Sequence, residues 1–203
     1  MSSEHYFSQD PTSQYKPKEI TIDLDGQKVS LQTAGGTFSP DRLDAGTAVL
    51  LEHLDEAPKS GNLIDVGCGW GPIALALALR APKAIVWAID VNERSLELTR
   101  ANAERLGVTN IRVCRPEEVP ADLKFEGIWS NPPIRVGKDE LHSILLTWLP
   151  KLSAGSESYL VVQKNLGADS LHRWLEAQLP AGFTTIRVDT AKAYRVLRVK
   201  HRG

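Results

Sequence analysis

From residue 62 onward, the chain alternates between short apolar runs typical of buried strands and longer segments with helical periodicity. The predicted strands cover residues 63–66, 85–90, 111–114, 127–130 and 158–163, and the predicted helices cover 73–79, 93–106, 141–149 and 170–179. Strands that alternate with helices in this way form a mostly parallel sheet with helices on both faces. Two final extended runs, 183–188 and 194–200, predict an antiparallel hairpin that makes the sheet mixed.

The first 61 residues follow a different pattern. Residues 19–24 and 28–33 alternate apolar and polar side chains around the turn-forming pair Asp25-Gly26, which predicts a β-hairpin. The eighteen residues before this hairpin are polar, contain two prolines and predict an irregular arm, whereas residues 47–54 predict a helix. We therefore divide the chain into an arm and β-hairpin extension over residues 1–45 and an α/β domain over residues 46–203.

Composition is that of an ordinary soluble protein. The 203 residues suit one α/β domain with a small extension, and 42% of them are hydrophobic and 24% charged. The longest apolar stretch, 73–79, is too short to cross a bilayer, and the N-terminal residues lack the features of a secretion signal. Cys68 and Cys114 are the two cysteines and do not indicate a disulfide framework. We expect a cytoplasmic protein with no membrane partner.

The net charge of −1 conceals an uneven distribution. Residues 1–60 contain 5 Lys and Arg against 10 Asp and Glu, and residues 141–203 contain 9 against 4, so the local charge changes from −5 to +5. Arg198, Lys200 and Arg202 share one face of the last predicted strand, which is compatible with RNA contact and with an ordinary solvated surface. The histidines have no metal-ligand spacing, and we expect no bound metal.

A glycine-rich loop follows the first strand of the α/β region. Gly67, Gly69 and Gly71 permit a tight turn and let the backbone approach a ligand where a Cβ atom would collide. Asp90 ends the next strand, 90 − 71 = 19 residues beyond Gly71, where a carboxylate can accept hydrogen bonds from both hydroxyls of a ribose. The glycine spacing differs from the dinucleotide pattern Gly-x-Gly-x-x-Gly, and Asp65 would repel a pyrophosphate but suit the cationic aminoacid end of S-adenosylmethionine. A nicotinamide oxidoreductase is therefore the less well matched alternative.

The tripeptide Asn131-Pro132-Pro133 lies just after the fourth strand, on the sheet edge that carries the glycine loop. The Asn131 side-chain oxygen and the Pro132 carbonyl can accept the two hydrogens of one amino group, because the Pro-Pro backbone holds that carbonyl in one direction. Amide and nucleobase nitrogens are poor nucleophiles, since their lone pair is delocalised, and two fixed acceptors orient such a nitrogen for attack on a methyl group. The sequence therefore predicts methyl transfer to an exocyclic amine, with Asn131 and Pro132 as the catalytic pair.

These motifs resemble the class I S-adenosylmethionine-dependent methyltransferases, which have a Rossmann-like fold. More narrowly, the chain resembles the methyltransferase small group related to the bacterial 16S ribosomal RNA guanine-N2 methyltransferases. The resemblance covers nearly the whole chain and rests on residues 5–8, 36–39, 43–47, 63–72, 89–94, 130–138 and 161–164. The string Asn-Pro-Pro-Ile-Arg-Val-Gly-Lys, which begins at Asn131, is the most specific of these segments.

The resemblance implies S-adenosylmethionine as the cofactor and suggests which residues bind it. The glycine loop would hold the methionine part together with Asp65, and Asp44 and Thr47 would lie near the same end. Asp90 would take the ribose, and Glu117 stands at the position of an acid that reaches the adenine amine. The predicted cofactor-binding set is Asp44, Thr47, Asp65, Gly67, Cys68, Gly69, Gly71, Asp90, Val91, Glu117 and Asn131.

The resemblance also implies an RNA substrate, with guanine N2 of ribosomal RNA as the acceptor and ribosomal RNA or a ribosomal particle as the partner. Many amino-methyltransferases place an aromatic residue after Asn-Pro-Pro, whereas this chain has Ile134, and we expect Phe38 to stack on the target base instead. The predicted substrate-binding residues are Phe38, Pro133, Ile134, Arg135 and Lys138. A protein glutamine-amide methyltransferase and a non-catalytic cofactor-binding module remain as alternatives.

Overall fold

The computed structural model describes residues 16–191 and 193–203, apart from the side chain of Arg135. Residues 1–15 of the predicted eighteen-residue arm, which include the motif at 5–8, lie outside the described residues, and Pro17 and Lys18 belong to the first strand rather than to an irregular arm. The strands are β1 (Pro17–Leu24), β2 (Gln27–Ala34), β3 (Ser60–Val66), β4 (Lys83–Ile89), β5 (Ile111–Cys114), β6 (Phe125–Ser130), β7 (Leu152–Gln163), β8 (Phe183–Ala191) and β9 (Tyr194–His201). The α-helices are α1 (Ala45–Leu51), α2 (Pro72–Arg80), α3 (Glu93–Arg105), α4 (Lys138–Trp148) and α5 (Ala168–Gln178). No helix in these two ranges has the length and apolar character needed to cross a membrane.

A seven-stranded sheet in the order β5-β4-β3-β6-β7-β9-β8 forms the body of the protein. The strands from β3 to β7 pair in parallel, and β9 pairs antiparallel with both β7 and β8. The order reverses between β3 and β6, because β4 and β5 lie on one side of β3 while β6 and β7 lie on the other. Open α/β sheets bind ligands at such a switch point. Here it places the glycine loop, which follows β3, beside the Asn-Pro-Pro segment, which follows β6. The predicted Rossmann-like fold is confirmed.

Buried strands and one nearly buried helix explain why this sheet forms where the sequence predicts it. Leu63 and Ile64 of β3 are fully buried on opposite faces of the sheet and belong to two separate apolar clusters. Helix α2 covers one face and begins at Pro72, a position where the missing N–H has no helical partner to lose. Helix α3 begins where the side chain of Asn92 accepts a hydrogen bond from Ser95 N.

The N-terminal hairpin is also confirmed as a separate two-stranded sheet of β1 and β2. Asp25 and Gly26 have φ of 53° and 80°, as expected for a two-residue hairpin turn with both φ values positive. The buried side chains of Leu24 and Leu31 join the same apolar cluster as helices α2 and α3. The division at residue 45 therefore stays a prediction, since the extension shares its core with the α/β region.

Several elements differ in their bounds from the prediction, and the differences at α1 and β7 have a clear structural cause. Helix α1 starts at Ala45 rather than at residue 47, because the Asp44 carboxylate caps its N-terminus. Strand β7 starts at Leu152 rather than at residue 158, since Leu152 pairs with Phe125 of β6 before an irregularity in the ladder. The first half of β7 is polar and partly exposed, so apolar alternation does not reveal it.

Candidate active site

A cavity of about 480 Å³ opens at the switch point, above the carboxyl ends of β3 and β6. Nine predicted site residues line it, namely Phe38, Asp44, Gly67, Gly69, Asp90, Asn131, Pro132, Pro133 and Ile134. The fold thus brings the glycine loop, the acid after β4 and the Asn-Pro-Pro segment around one space. This is a typical volume for a cofactor or substrate pocket.

The glycines of the loop serve two different purposes. Gly67, Gly69 and Gly71 have φ of 81°, 57° and 98°, and residues with a side chain rarely adopt this backbone region. A Cβ atom at Gly67 or Gly69 would meet no atom within 4 Å and would project into open space, so a ligand can reach the backbone there. At Gly71, a Cβ atom would lie 3.0 Å from the Thr99 side chain, so this glycine is required for packing.

Hydrogen bonds from surrounding elements hold the loop backbone in place. The N–H groups of Gly67 and Cys68 both donate to Ile89 O at 2.9 Å, and the Thr99 hydroxyl donates to Gly69 O at 2.9 Å. Gly69 N donates to Asp90 Oδ2 at 2.9 Å, and the other oxygen of this carboxylate accepts from a backbone N–H at the start of α3. Each Asp90 oxygen keeps further acceptor capacity, which suits ribose hydroxyls. Burial raises the pKa of this carboxyl group.

Asp65 lies beneath the loop and does not line the cavity. Its Oδ2 accepts a hydrogen bond from Ala74 N at 3.0 Å, in the first turn of α2, and its Oδ1 has no partner among the described residues. Complete burial raises the pKa of Asp65 to about 8, the hydrogen bond from Ala74 opposes that shift, and the charge of Asp90 adds to it. The predicted contact of Asp65 with the cofactor stays a prediction.

Asn131 is held from one side by residues that precede and begin α1. Its side-chain nitrogen Nδ2 donates to Asp44 Oδ2 at 2.9 Å and to Thr47 Oγ1 at 3.0 Å. Among the described residues, none donates a hydrogen bond to its side-chain oxygen Oδ1. Asp44 and Thr47, predicted at the methionine end of the cofactor, therefore contact the predicted catalytic amide directly.

Four other predicted residues do not line the cavity, and the side chain of a fifth lies outside the described part of the structure. Cys68 is buried under the loop within 3.7 Å of the Thr99 hydroxyl, and burial raises the pKa of its thiol well above its usual range. Val91, Glu117 and Lys138 are exposed. The side chain of Arg135 lies outside the description.

Sequence reasoning missed several lining residues, of which Tyr194 is the most informative. Gln163 at the end of β7 pairs with Tyr194 at the start of β9, and both line the cavity with Leu166. The Tyr194 ring covers the start of α1, since a Cβ atom on Gly46 would lie 2.7 Å from its Cε1. Only the antiparallel register of β7 and β9 brings this tyrosine to the site, and no local motif marks it. The other missed lining residues are Thr37, Ser39, Pro40 and Ser95.

The predicted basic face of the last strand is partly neutralised. Arg198 and Lys200 both pair with Glu157, at 3.5 and 3.0 Å. Their charges are therefore shared with a neighbouring strand rather than fully available to a phosphate. Within residues 16–191 and 193–203, no group of three or more potential ligands is arranged to hold a metal ion.

Comparisons with known proteins agree with this geometry. The sequence profile of the methyltransferase small domain matches residues 28–198. An uncharacterized protein of Bacillus subtilis, YbxB, is 36% identical over 177 residues, which cover 86% of this chain and 88% of that protein. The ribosomal RNA small subunit methyltransferase C of Yersinia pestis is 42% identical over 113 residues, which cover 54% of this chain and 31% of the relative. The chain thus spans less than a third of the length of that relative.

A solved structure shows the same fold over almost the whole chain. The 16S rRNA N2 G1207 methyltransferase of T. thermophilus, in complex with AdoMet and guanosine, matches with a TM-score of 0.79 at 20% identity. The match covers 95% of this chain and 52% of that one. At this identity the likeness establishes the fold.

Proposed function

The chain belongs to the methyltransferase small domain family and uses S-adenosylmethionine, and we propose that its acceptor is the N2 amine of a guanine in ribosomal RNA. The orientation of the Asn131 amide carries the amine part of this proposal, and the named relatives support the choice of guanine in ribosomal RNA. Its nitrogen is occupied by Asp44 and Thr47, so its oxygen is left to accept a hydrogen bond from the acceptor amine. This is the arrangement that an amino-methyltransferase requires.

The cofactor end of the cavity suits S-adenosylmethionine. The open space beside Gly67 and Gly69 admits a ligand against the loop backbone, and Asp90 presents carboxylate oxygens for ribose hydroxyls. When bound, S-adenosylmethionine supplies a methyl group on a sulfonium, which is already a good electrophile. The protein therefore needs no nucleophilic side chain, and its task is to position the acceptor.

The acceptor end positions a planar amine. Asn131 Oδ1 and the Pro132 carbonyl each accept one hydrogen of the amino group, which directs the remaining lone pair of the nitrogen toward the methyl group. This orientation favours pyramidalisation during attack and contributes several kcal/mol, on the order of the gains measured for well-positioned reactants. A base in a duplex has to be flipped out of its stack before it reaches this pair.

The relatives and the composition of the cavity support guanine in ribosomal RNA as the acceptor. The Yersinia pestis relative is named for the small-subunit ribosomal RNA, and the T. thermophilus enzyme for N2 of a guanine in 16S rRNA. Phe38 and Tyr194 line the cavity beside Ile134, so an aromatic face is present although no aromatic residue follows Asn-Pro-Pro. Stacking of a base on such a ring supplies about 1–3 kcal/mol.

The test is transfer of radiolabelled methyl from S-adenosylmethionine into three substrates from a strain that lacks this gene. These are deproteinised ribosomal RNA, ribosomal subunits and total protein. We expect label in one RNA species that yields N2-methylguanosine on digestion. Label in protein would replace the RNA assignment with a protein amide. No label in any substrate, despite measurable cofactor binding, would favour a non-catalytic binding module.

A further inference from the structure

We propose that Asp44 and Thr47 are positioning residues that fix the Asn131 amide with its oxygen toward the acceptor amine. This inference rests on the proposed amine methylation. It assigns both residues to the acceptor end of the cavity rather than to direct contact with the methionine part of the cofactor. Asn131 is then the residue that touches substrate, and the other two act through it.

The contacts define a single orientation for the amide. Nδ2 has two hydrogens, and each has an acceptor, Asp44 Oδ2 at 2.9 Å and Thr47 Oγ1 at 3.0 Å. A flipped amide would place Oδ1 against the carboxylate, where two acceptors repel, and would lose the hydrogen bond to Asp44, whereas the Thr47 hydroxyl can act as acceptor or donor in either orientation. The unflipped state therefore leaves Oδ1 as the group that is available to the substrate.

The carboxylate itself is held rigidly. Asp44 Oδ2 also accepts hydrogen bonds from the N–H groups of Gly46 at 2.8 Å and Thr47 at 3.0 Å, so it cannot rotate without uncapping α1. The Tyr194 ring lies against the same turn and leaves no room for a Cβ atom at Gly46. Because this helix start is fixed, its hydrogen bond also fixes the side chain of Asn131, which lies 87 residues after Asp44 in the chain.

The charge of Asp44 adds a second effect. A hydrogen bond from an amide N–H to a carboxylate is charge-assisted and stronger than a neutral one. Donation from Nδ2 polarises the amide and increases the negative charge on Oδ1, as in chains of hydrogen bonds that reinforce one another. Oδ1 thereby becomes a better acceptor for the hydrogen of an attacking amine.

An exchange of the two side chains tests this pairing. Asn131→Asp alone sets two carboxylates against each other, and we expect kcat to fall by roughly 10²-fold. Asp44→Asn alone keeps a helix cap but removes the charged acceptor, and we expect a loss of roughly 10-fold. The double variant removes the repulsion between two carboxylates, because the amide introduced at position 44 is uncharged and its oxygen can keep the cap of α1, and the second oxygen of the carboxylate introduced at position 131 can face the amine. Part of the loss from Asn131→Asp should therefore be recovered.

The readouts separate positioning from cofactor binding and from folding. The dissociation constant for S-adenosylmethionine should change by less than about threefold in all three variants, a difference under ~1 kcal/mol. Asp41→Asn is the matched control, because Asp41 is an exposed acid near α1 that pairs with Lys18, and it should behave as wild type. Cofactor affinity that falls in parallel with kcat, without recovery in the double variant, would overturn the inference.

A second measurement does not depend on the substrate. The ¹⁵N–¹H signals of the Asn131 side-chain amide, assigned by comparison with Asn131→Ala, should shift and exchange faster in Asp44→Asn and in Thr47→Val. Unchanged signals would contradict the proposed contacts, whatever the methyl acceptor is. Conversely, the wild type could show the expected amide shifts but no methyl transfer to RNA. That result would overturn the RNA assignment, while the positioning of Asn131 by Asp44 and Thr47 would stand.

Discussion

The cofactor end and the acceptor end of the cavity are built from different parts of the chain. At the cofactor end, backbone groups of the glycine loop are held by Ile89 O, Asp90 and Thr99, and two glycines keep the space open. At the acceptor end, one side-chain amide is held by two other side chains, Asp44 and Thr47.

This difference shows which substitutions each end tolerates. The N–H and C=O groups of the loop persist whatever side chain is present, so the cofactor end is sensitive to changes at its glycines and at Asp90 and Thr99, whose side chains hold the loop. The acceptor end depends on individual side-chain atoms. Removal of the Asn131 amide alone therefore removes the side-chain oxygen that accepts a hydrogen of the amine. The following predictions separate the two ends.

The largest expected effect is that of Asn131→Ala at the acceptor end. Loss of one positioned polar group should lower kcat by roughly 10²-fold or more, while the affinity for S-adenosylmethionine is retained. Single-turnover methyl transfer together with calorimetric titration of the cofactor measures both quantities. Equal loss of both would make Asn131 a structural residue and would remove the difference between the two ends.

Gly69→Ala should act mainly at the cofactor end. The methyl group would enter the open space beside the loop, so we expect the dissociation constant for S-adenosylmethionine to rise by roughly 10-fold, about 1.4 kcal/mol. Gly107→Ala is the control, because Gly107 has a similar φ of 66° and also an unobstructed Cβ direction, but lies at the end of α3. If both variants weaken cofactor binding equally, backbone strain alone accounts for the change.

Tyr194→Leu and Phe38→Leu compare the two aromatic residues at the acceptor end. Loss of the ring that stacks on the target base should raise KM for the RNA by roughly 5-fold or more, as expected from stacking energies of about 1–3 kcal/mol. We expect the ring that stacks to be replaceable by another aromatic, so the matched Tyr194→Phe and Phe38→Tyr variants should retain the wild-type KM. If neither leucine variant changes KM, base recognition lies outside this cavity wall.

The smallest expected effect concerns Asp65 and the pH dependence of stability. Because its pKa is raised to about 8 in the folded protein, above the ~3.9 of an unfolded chain, its stabilising contribution is complete below pH ~4 and is lost as pH rises toward 8. In the ligand-free protein, Tm should therefore fall between about pH 5 and about pH 8.5. Asp65→Asn should reduce that fall by several °C, because an amide at this position does not titrate and ~1 kcal/mol shifts Tm by about 2–4 °C in a domain of this size. An identical fall in both proteins would show that Asp65 is not the group that titrates.

Local sequence signals account for most of the fold and for half of the site. Strand and helix periodicity predicted the parallel sheet, and Asp25-Gly26 predicted the hairpin turn, because these depend on neighbouring residues. The early start of α1 at Ala45 and the polar first half of β7 were not predicted, since a capping contact from Asp44 and a strand pairing decide them.

By itself, the sequence determined the glycine loop, the acid after β4 and the Asn-Pro-Pro segment, because their geometry follows from dihedral preferences over a few residues. The tertiary structure alone decided that Asp44 contacts Asn131 and that Tyr194 joins the cavity. The first contact joins residues 87 positions apart, and the second depends on the register between β7 and β9. Neither follows from local preferences, because the order and packing of the strands select which distant side chains meet.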